Sequence, residues 1–214
     1  MKIALINENS QKKKNNFILN VLEKVAEKYG HQVFNYGASE GKDANINYVG
    51  AGLLAGILLN SHAVDFVIMG CSSGEGVLIS ANAMPNVYCG YVSDVVDAKL
   101  FAKINAGNAV SIPFGKYFGV GTEFQLESIF ETLFTTPFGE GYPSERREIQ
   151  EEQRKELELL KQTSQINMRE ILEEIDKDFL YQIIHNEYFE ENFLANSLDD
   201  EISGLLKDLF DAWV

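Results

Sequence analysis

Apolar positions fall along the first two thirds of the chain in two alternating textures. Short apolar runs (KIALIN from residue 2, HQVFNYG from 31, DFVIMG from 65, NVYCGYV from 86 and AVSIP from 109) read as buried strands. Stretches with helical spacing separate and follow them. Residues 11–29 put Phe17, Ile18, Val21, Leu22 and Val25 on one face before Gly30 closes the helix, and further helices are predicted near 47–61, from 75, near 94–104 and over 121–134. Strands alternating with helices in this way predict a doubly wound α/β domain, a Rossmann-like sandwich on a five-stranded parallel sheet. Ligands in that architecture bind outside the carboxyl ends of the strands.

Beyond Pro143 the texture becomes helical throughout, over 145–162, 168–189 and 199–214, with Leu157, Leu160, Ile171, Leu172, Ile175, Leu180, Ile183 and Ile184 predicted to form a buried face. The pattern divides the chain into an α/β domain at 1–144 and a helical extension at 145–214, whose apolar face is expected to pack on the core or on a second subunit. The segment YVGAGLLAGILL is too short and too rich in Gly and Ala to cross a membrane, and is expected to be a buried helix.

Charge separates the same two regions. Of the net −14, residues 1–144 carry −3 (10 Lys/Arg, 13 Asp/Glu) and residues 145–214 carry −11 (8 and 19). Without clustered cations the chain is not expected to bind nucleic acid, and the run at Lys12, Lys13 and Lys14 is expected to be a solvated helix start. The two cysteines, Cys71 and Cys89, form no CxxC pair, so neither a disulfide framework nor a metal site is expected. No signal-peptide pattern precedes KIALIN, and a reducing cytoplasm is the expected location. His31, His62 and His185 read as structural or solvated.

The chemistry concentrates in VIMGCSSGEGVLISAN, residues 67–82. A strand ending in Gly-Cys-Ser-Ser-Gly-Glu-Gly and passing into a helix aims several backbone N–H groups and the positive helix end at one point, where an anion can bind. Cys71 there is a nucleophile, a base, or simply a small buried side chain at a strand end. Glu75 reads as a first-turn helix acid. A cysteine phosphatase is excluded because Val77 stands where its Arg is needed. A dinucleotide fold lacks its glycines after the first strand, and a P-loop lacks its Gly-Lys-Ser/Thr ending.

Cys71, Ser73, Gly74, Gly76, Ile79, Ala81 and Asn82 together match the Cys-Gly-Thr/Ser-Gly-x-Gly…Ile-x-Ala-Asn pattern of the type B ribose-5-phosphate isomerases and the related galactose-6-phosphate isomerase subunits, with Ser72 in place of a glycine. Pro85, Asp94, Leu100, Asn105, the segment FTTPFGEG at 134–141 and Tyr48 extend the resemblance over about residues 1–147. It implies a five-stranded parallel sandwich and a homodimer with the active site at its interface. It also implies a cofactor-free interconversion of aldose and ketose phosphates through an enediolate. Carried over, Cys71 is the base acting between C1 and C2, Ser73 shuttles the hydroxyl proton, and the N–H groups around Gly74 and Gly76 hold the enediolate. Glu8, Asn9, Tyr48, Ser93, Asp94 and Arg146 are the implied contacts to the sugar or sugar phosphate.

Glu8 and Asn9 replace the family's Asp-His, Ser93 replaces its ring-opening His, and Tyr142 and Pro143 replace an Arg-His pair. Lys99 and Arg147 are possible stand-ins for the phosphate arginines. An aldose–ketose isomerase of a sugar phosphate is the leading expectation. Two alternatives stand beside it: an isomerase or epimerase of an unphosphorylated or open-chain sugar derivative, and a non-catalytic sugar-binding or regulatory relative.

Overall fold

The computed structural model describes residues 1–41, 45–116, 118–185 and 189–212. Five strands, β1 (Lys2–Asn7), β2 (Gln32–Asn35), β3 (Phe66–Cys71), β4 (Cys89–Tyr91) and β5 (Ala109–Pro113), form one sheet in the order β2-β1-β3-β5-β4, parallel throughout. Helices α1 (Asn15–Lys28), α2 (Tyr48–Asn60), α3 (Glu75–Ala83), α4 (Val95–Leu100) and α5 (Thr122–Thr135) connect or follow them. Successive strand side chains point to opposite faces, and the burial follows that alternation. Ile3, Leu5, Phe66, Ile68, Val110 and Ile112 meet α1 and α5, whereas Ala4, Ile6, Val67 and Met69 meet α2 and α3.

The chain leaves β1 toward β2 on one side and returns to β3 on the other, so the strand order switches direction between β1 and β3. The carboxyl ends of those two strands flank the crevice where such folds take their ligands.

Every side chain of α2 from Gly50 to Leu59 is buried. A helix apolar on all sides must be covered on all sides. One half of the cover comes from the sheet and α3, and the other from the C-terminal helices α7 (Met168–Glu174), α8 (Lys177–Ile184), α9 (Phe189–Asn196) and α10 (Asp200–Ala212). Met168, Leu172, Leu180, Ile183, Ile184, Phe193 and Leu206 join α2 in one apolar cluster. At Gly50 a Cβ would stand 2.8 Å from Ile183, so only glycine lets α8 seat this closely on α2. Among the described residues no helix is long and apolar enough to cross a membrane.

Three local expectations are corrected. The helix expected over 11–29 begins only at Asn15, after a 3-10 turn, Asn9–Lys14, whose Ser10 N–H is held by the Glu8 carboxylate. Within that turn Lys14 is not simply solvated: it donates to the Phe114 carbonyl at 2.7 Å and lies 4.4 Å from the Phe118 ring centre. The helix expected over 168–189 is two helices, because Asp176 caps a new start by accepting from the Phe179 N–H at 2.7 Å; positions 186–188 and 213–214 lie outside the described residues.

The third correction concerns α6 (Arg147–Ser164), where Leu157 and Leu160 were expected inside but are 48% and 62% exposed. Its inner face is polar. Gln150 is buried against Tyr142, Arg154 donates to the Ile104 carbonyl at 2.7 Å, and Lys161 donates to the Asn82 and Val87 carbonyls. These side chains satisfy carbonyls that end neighbouring elements, which turns the leucines outward.

Candidate active site

Cys71 is the last residue of β3, paired in register with Pro113 of β5, while Gly70 pairs with Asn7 of β1. The chain then reverses into α3 through Gly74 at φ +81°, a left-handed conformation that glycine adopts without cost. This turn directs the Gly74 N–H at the Cys71 sulfur, 3.3 Å away. The Gly74 amide is therefore committed to the sulfur and the Glu75 amide to Ser73 Oγ, and the amides left to meet a ligand oxygen begin two residues further on, at Gly76.

The loop is pinned from below. Ser111 of β5 donates to the Gly74 carbonyl at 2.5 Å, Gly115 N–H donates to the Ser72 carbonyl at 3.0 Å, and Tyr91 donates its hydroxyl to the Ser73 carbonyl at 3.3 Å. Lys116 in turn donates to the Tyr91 hydroxyl at 3.1 Å, which ties a cation to the loop through one phenol. Tyr48, the first residue of α2, is half exposed and lays its ring against Gly76.

From β1 the Glu8 N–H bonds to the Gly70 carbonyl, placing the Glu8 side chain beside the cysteine loop. Its carboxylate accepts from the Ser10 N–H at 3.0 Å and the Ser10 hydroxyl at 2.5 Å. The Ser10 and Ser72 hydroxyls lie 2.9 Å apart, and Gln11 Nε2 donates to both. Two acceptors in this region, Asn7 Oδ1 and Gln11 Oε1, are buried without a partner among the described residues, which leaves this edge of the sheet short of donors.

Cys71, Ser73, Gly74, Gly76, Glu8 and Tyr48 are thus gathered at one end of the sheet. Asn9 sits at the same end with its side chain engaged on the segment after residue 44, donating to Asn45 Oδ1 at 2.6 Å and accepting from the Ile46 N–H at 2.9 Å. Ser93 and Asp94 follow β4 and hold the start of α4: Asp94 accepts from Val96 and Asp97 N–H, and Ser93 donates to the Asp97 carboxylate at 2.7 Å. Arg146 ends an exposed 3-10 turn, Ser144–Arg146, before α6 and makes no hydrogen bond or ion pair with the cluster among the described residues.

Sequence reasoning passed over Ser10 and Gln11, which reach the loop from the turn after β1, Tyr91, which reaches it from β4, and Lys116, which backs Tyr91 from the segment after β5. Ser72 carried a signal, since it replaces a family glycine. The second thiol, Cys89, lies on β4 away from the loop, and burial pushes it up to about 12. Among the described residues no three His, Cys, Asp or Glu side chains are grouped to hold a metal ion. A thiol beside N–H donors, hydroxyls and a carboxylate is suited to moving protons on carbon and oxygen next to a carbonyl.

A family model described as Ribose/Galactose Isomerase matches residues 3–151, and a second, described as Ribose-5-phosphate isomerase, matches 163–209. No curated protein matches the chain. Its backbone superposes on a crystal structure of a 4-deoxy-L-threo-5-hexosulose-uronate ketol-isomerase complexed with a tartrate, at TM-score 0.96 and 46% identity over 99% of this chain and 100% of that one. A ribose-5-phosphate isomerase from Vibrio parahaemolyticus gives 0.94 and 42%, over 98% and 99%. The type B ribose 5-phosphate isomerase of Leishmania infantum, at 18% identity over 77% and 98%, shares the fold with TM-score 0.62. Sequence match and superposition agree from the first strand into the tail, and this chain belongs to the Ribose/Galactose Isomerase family of aldose–ketose isomerases.

Proposed function

We propose that this aldose–ketose isomerase acts on an open-chain, unphosphorylated uronate of the 4-deoxy-5-hexosulose class. The observation that carries the reading is the make-up of the Cys71 pocket: hydroxyls, amides and one carboxylate, with Lys116 the cation bonded into the loop and no histidine among the described residues that build it. A phosphate dianion is normally met by several charge-assisted donors, frequently bidentate arginines. A carboxylate carries half that charge. A 4-deoxy-5-keto sugar also lacks the C4 and C5 hydroxyls that close furanose and pyranose rings on C1, so the acid–base group that opens a ring is not required. The 46% identical relative is named for such a substrate, which supports the same assignment here.

In this reading the Cys71 thiolate takes the proton from C2 of the aldehyde and returns it to C1. The first-turn amides of α3, starting at Gly76, hold the enediolate oxygen. Tyr48 and Lys116 border the rest of the substrate, and its hydroxyls supply donors where Asn7 and Gln11 lack them. A ribose 5-phosphate activity is the second reading, favoured by the 42% identical relative.

The active unit in this proposal is a homodimer. A groove of about 890 Å³ runs between α6 and the β4–α4 region, lined among others by Tyr88, Tyr91, Asn105 and Arg154, and the exposed Leu157 stands at its edge. Tyr91 also bonds the Ser73 carbonyl, so a second copy seated in the groove would border the active site. The two free cysteines fit a reducing, cytoplasmic setting.

Turnover of the uronate and of ribose 5-phosphate, measured side by side for wild type and Cys71→Ala, tests the assignment. We expect uronate isomerisation that drops by about 10³-fold or more in the variant, as for loss of a general base. A higher kcat/KM for ribose 5-phosphate would transfer the assignment to the phosphate, and unchanged activity in the variant would remove Cys71 from the chemistry.

A further inference from the structure

Ser72 is exposed, adjacent in sequence to Cys71, and its hydroxyl begins a directed hydrogen-bonded chain. Ser10 has a single hydroxyl hydrogen, and that hydrogen is committed to Glu8 Oε2 at 2.5 Å. In the 2.9 Å contact between the two serines, Ser72 is therefore the donor. Gln11 Nε2 has two hydrogens and gives one to each serine, at 3.1 Å and 2.6 Å. Its own position is fixed by burial (4% exposed) and by a bond from its N–H to the Glu8 carbonyl at 2.9 Å. Every hydrogen in the chain then points one way, from Ser72 through Ser10 to the carboxylate. Ser72 Oγ keeps one lone pair, on a residue open to solvent at the mouth of the site.

We propose that Ser72, Ser10 and Glu8 form a proton relay that transfers the substrate's hydroxyl proton between its two reacting oxygens, with Gln11 as the positioning residue. The proposal rests on the isomerase reading given above.

The proton count closes. The Cys71 thiolate first takes the C2 proton, and the electron pair moves through C1 onto O1 to give the enediolate. Ser72 Oγ then accepts the O2 proton while its own hydrogen passes to Ser10 and that of Ser10 passes to Glu8. As the O2–H bond breaks, C2=O forms and C1 recovers the proton from Cys71. The protonated Glu8 returns its proton along the same chain to O1. Thiolate and carboxylate are both regenerated, and the product is the ketose. Ser73, the shuttle implied by family resemblance, accepts from the Glu75 N–H at 3.3 Å, a contact that braces the start of α3 rather than leading to a carboxylate.

Four variants decide between the serines: Ser72→Gly, Glu8→Gln, the double variant carrying both, and Ser73→Ala, each assayed on the uronate. Ser72→Gly installs the residue that the resembling family carries. The relay predicts that Ser72→Gly and Glu8→Gln each lower kcat by about 10²-fold with KM within about threefold, a typical loss for one acid–base function. It also predicts that the double variant is no slower than the worse single one, since both break the same chain. Losses that multiply in the double variant, a change confined to KM, or a full kcat in Ser72→Gly beside a large loss in Ser73→Ala would each overturn the relay while leaving the isomerase standing. A wild-type enzyme inert toward both the uronate and ribose 5-phosphate would overturn the isomerase reading and the relay with it.

Discussion

Tyr36 shows at single-residue scale what the crowded α2 side costs. It follows β2, is 1% exposed, packs 5.7 Å from the Phe189 ring, and its hydroxyl has no hydrogen-bond partner among the described residues. Leaving a buried hydroxyl unsatisfied costs about 1–3 kcal/mol. Tyr36→Phe removes that group and keeps the ring, so denaturant unfolding should show a stability gain of about 1 kcal/mol. A second signature distinguishes this cause from better packing. Burial raises the Tyr36 phenol above its ordinary value, so the folded protein resists an ionisation that the unfolded chain undergoes. Stability from this group is complete below the unfolded value of about 10 and is lost as pH rises beyond it, an alkaline decline that should be shallower in Tyr36→Phe.

At the scale of elements, α7 to α10 are held by the apolar cluster around α2, and Ile183 stands closest to Gly50 of that helix. Ile183→Ala would open a cavity against Gly50 and should lower the unfolding free energy by about 2–5 kcal/mol, read from the denaturant midpoint at unchanged slope. A loss under about 0.5 kcal/mol, the size of an ordinary surface substitution, would mean that α8 is not seated as described. The five strands and the helices of the α/β part were legible because short apolar runs mark the buried strands, while helical spacing, or in α2 a longer Gly/Ala-rich apolar stretch, marks the helices between them. The Cys71 loop was legible because its residues are contiguous. Burial of Leu157 and Leu160 was misjudged for the opposite reason: their spacing says which side of α6 is apolar, but Arg154 and Lys161 reach carbonyls of distant elements, and no pattern local to α6 encodes those bonds. The Glu8–Ser10–Ser72 chain was equally hidden, since its members lie 62 positions apart at Ser10 and Ser72 and meet only because β1 and β3 are neighbours in the sheet.

At the scale of the whole molecule, the proposed homodimer would bring a second copy of the chain against the outward leucines of α6 and the groove beside them. Sedimentation should give twice the 24.0 kDa chain mass, and Leu157→Glu combined with Leu160→Glu should return the protein to a monomer with reduced turnover. A wild type that sediments as a monomer at full activity would remove the dimer from the mechanism. The tail has one more consequence, which belongs to the protein's synthesis. Helix α2 is complete at residue 60, yet the helices that cover its outer side start at 168 and end at 212. At about 5–20 residues per second, roughly eight to thirty seconds separate the emergence of this wholly apolar helix from the arrival of its last cover. Every newly made molecule thus passes through an interval in which its greasiest segment is half bare, and during that interval its fate depends on chaperones and on crowding by its own sisters more than on the stability of the finished fold.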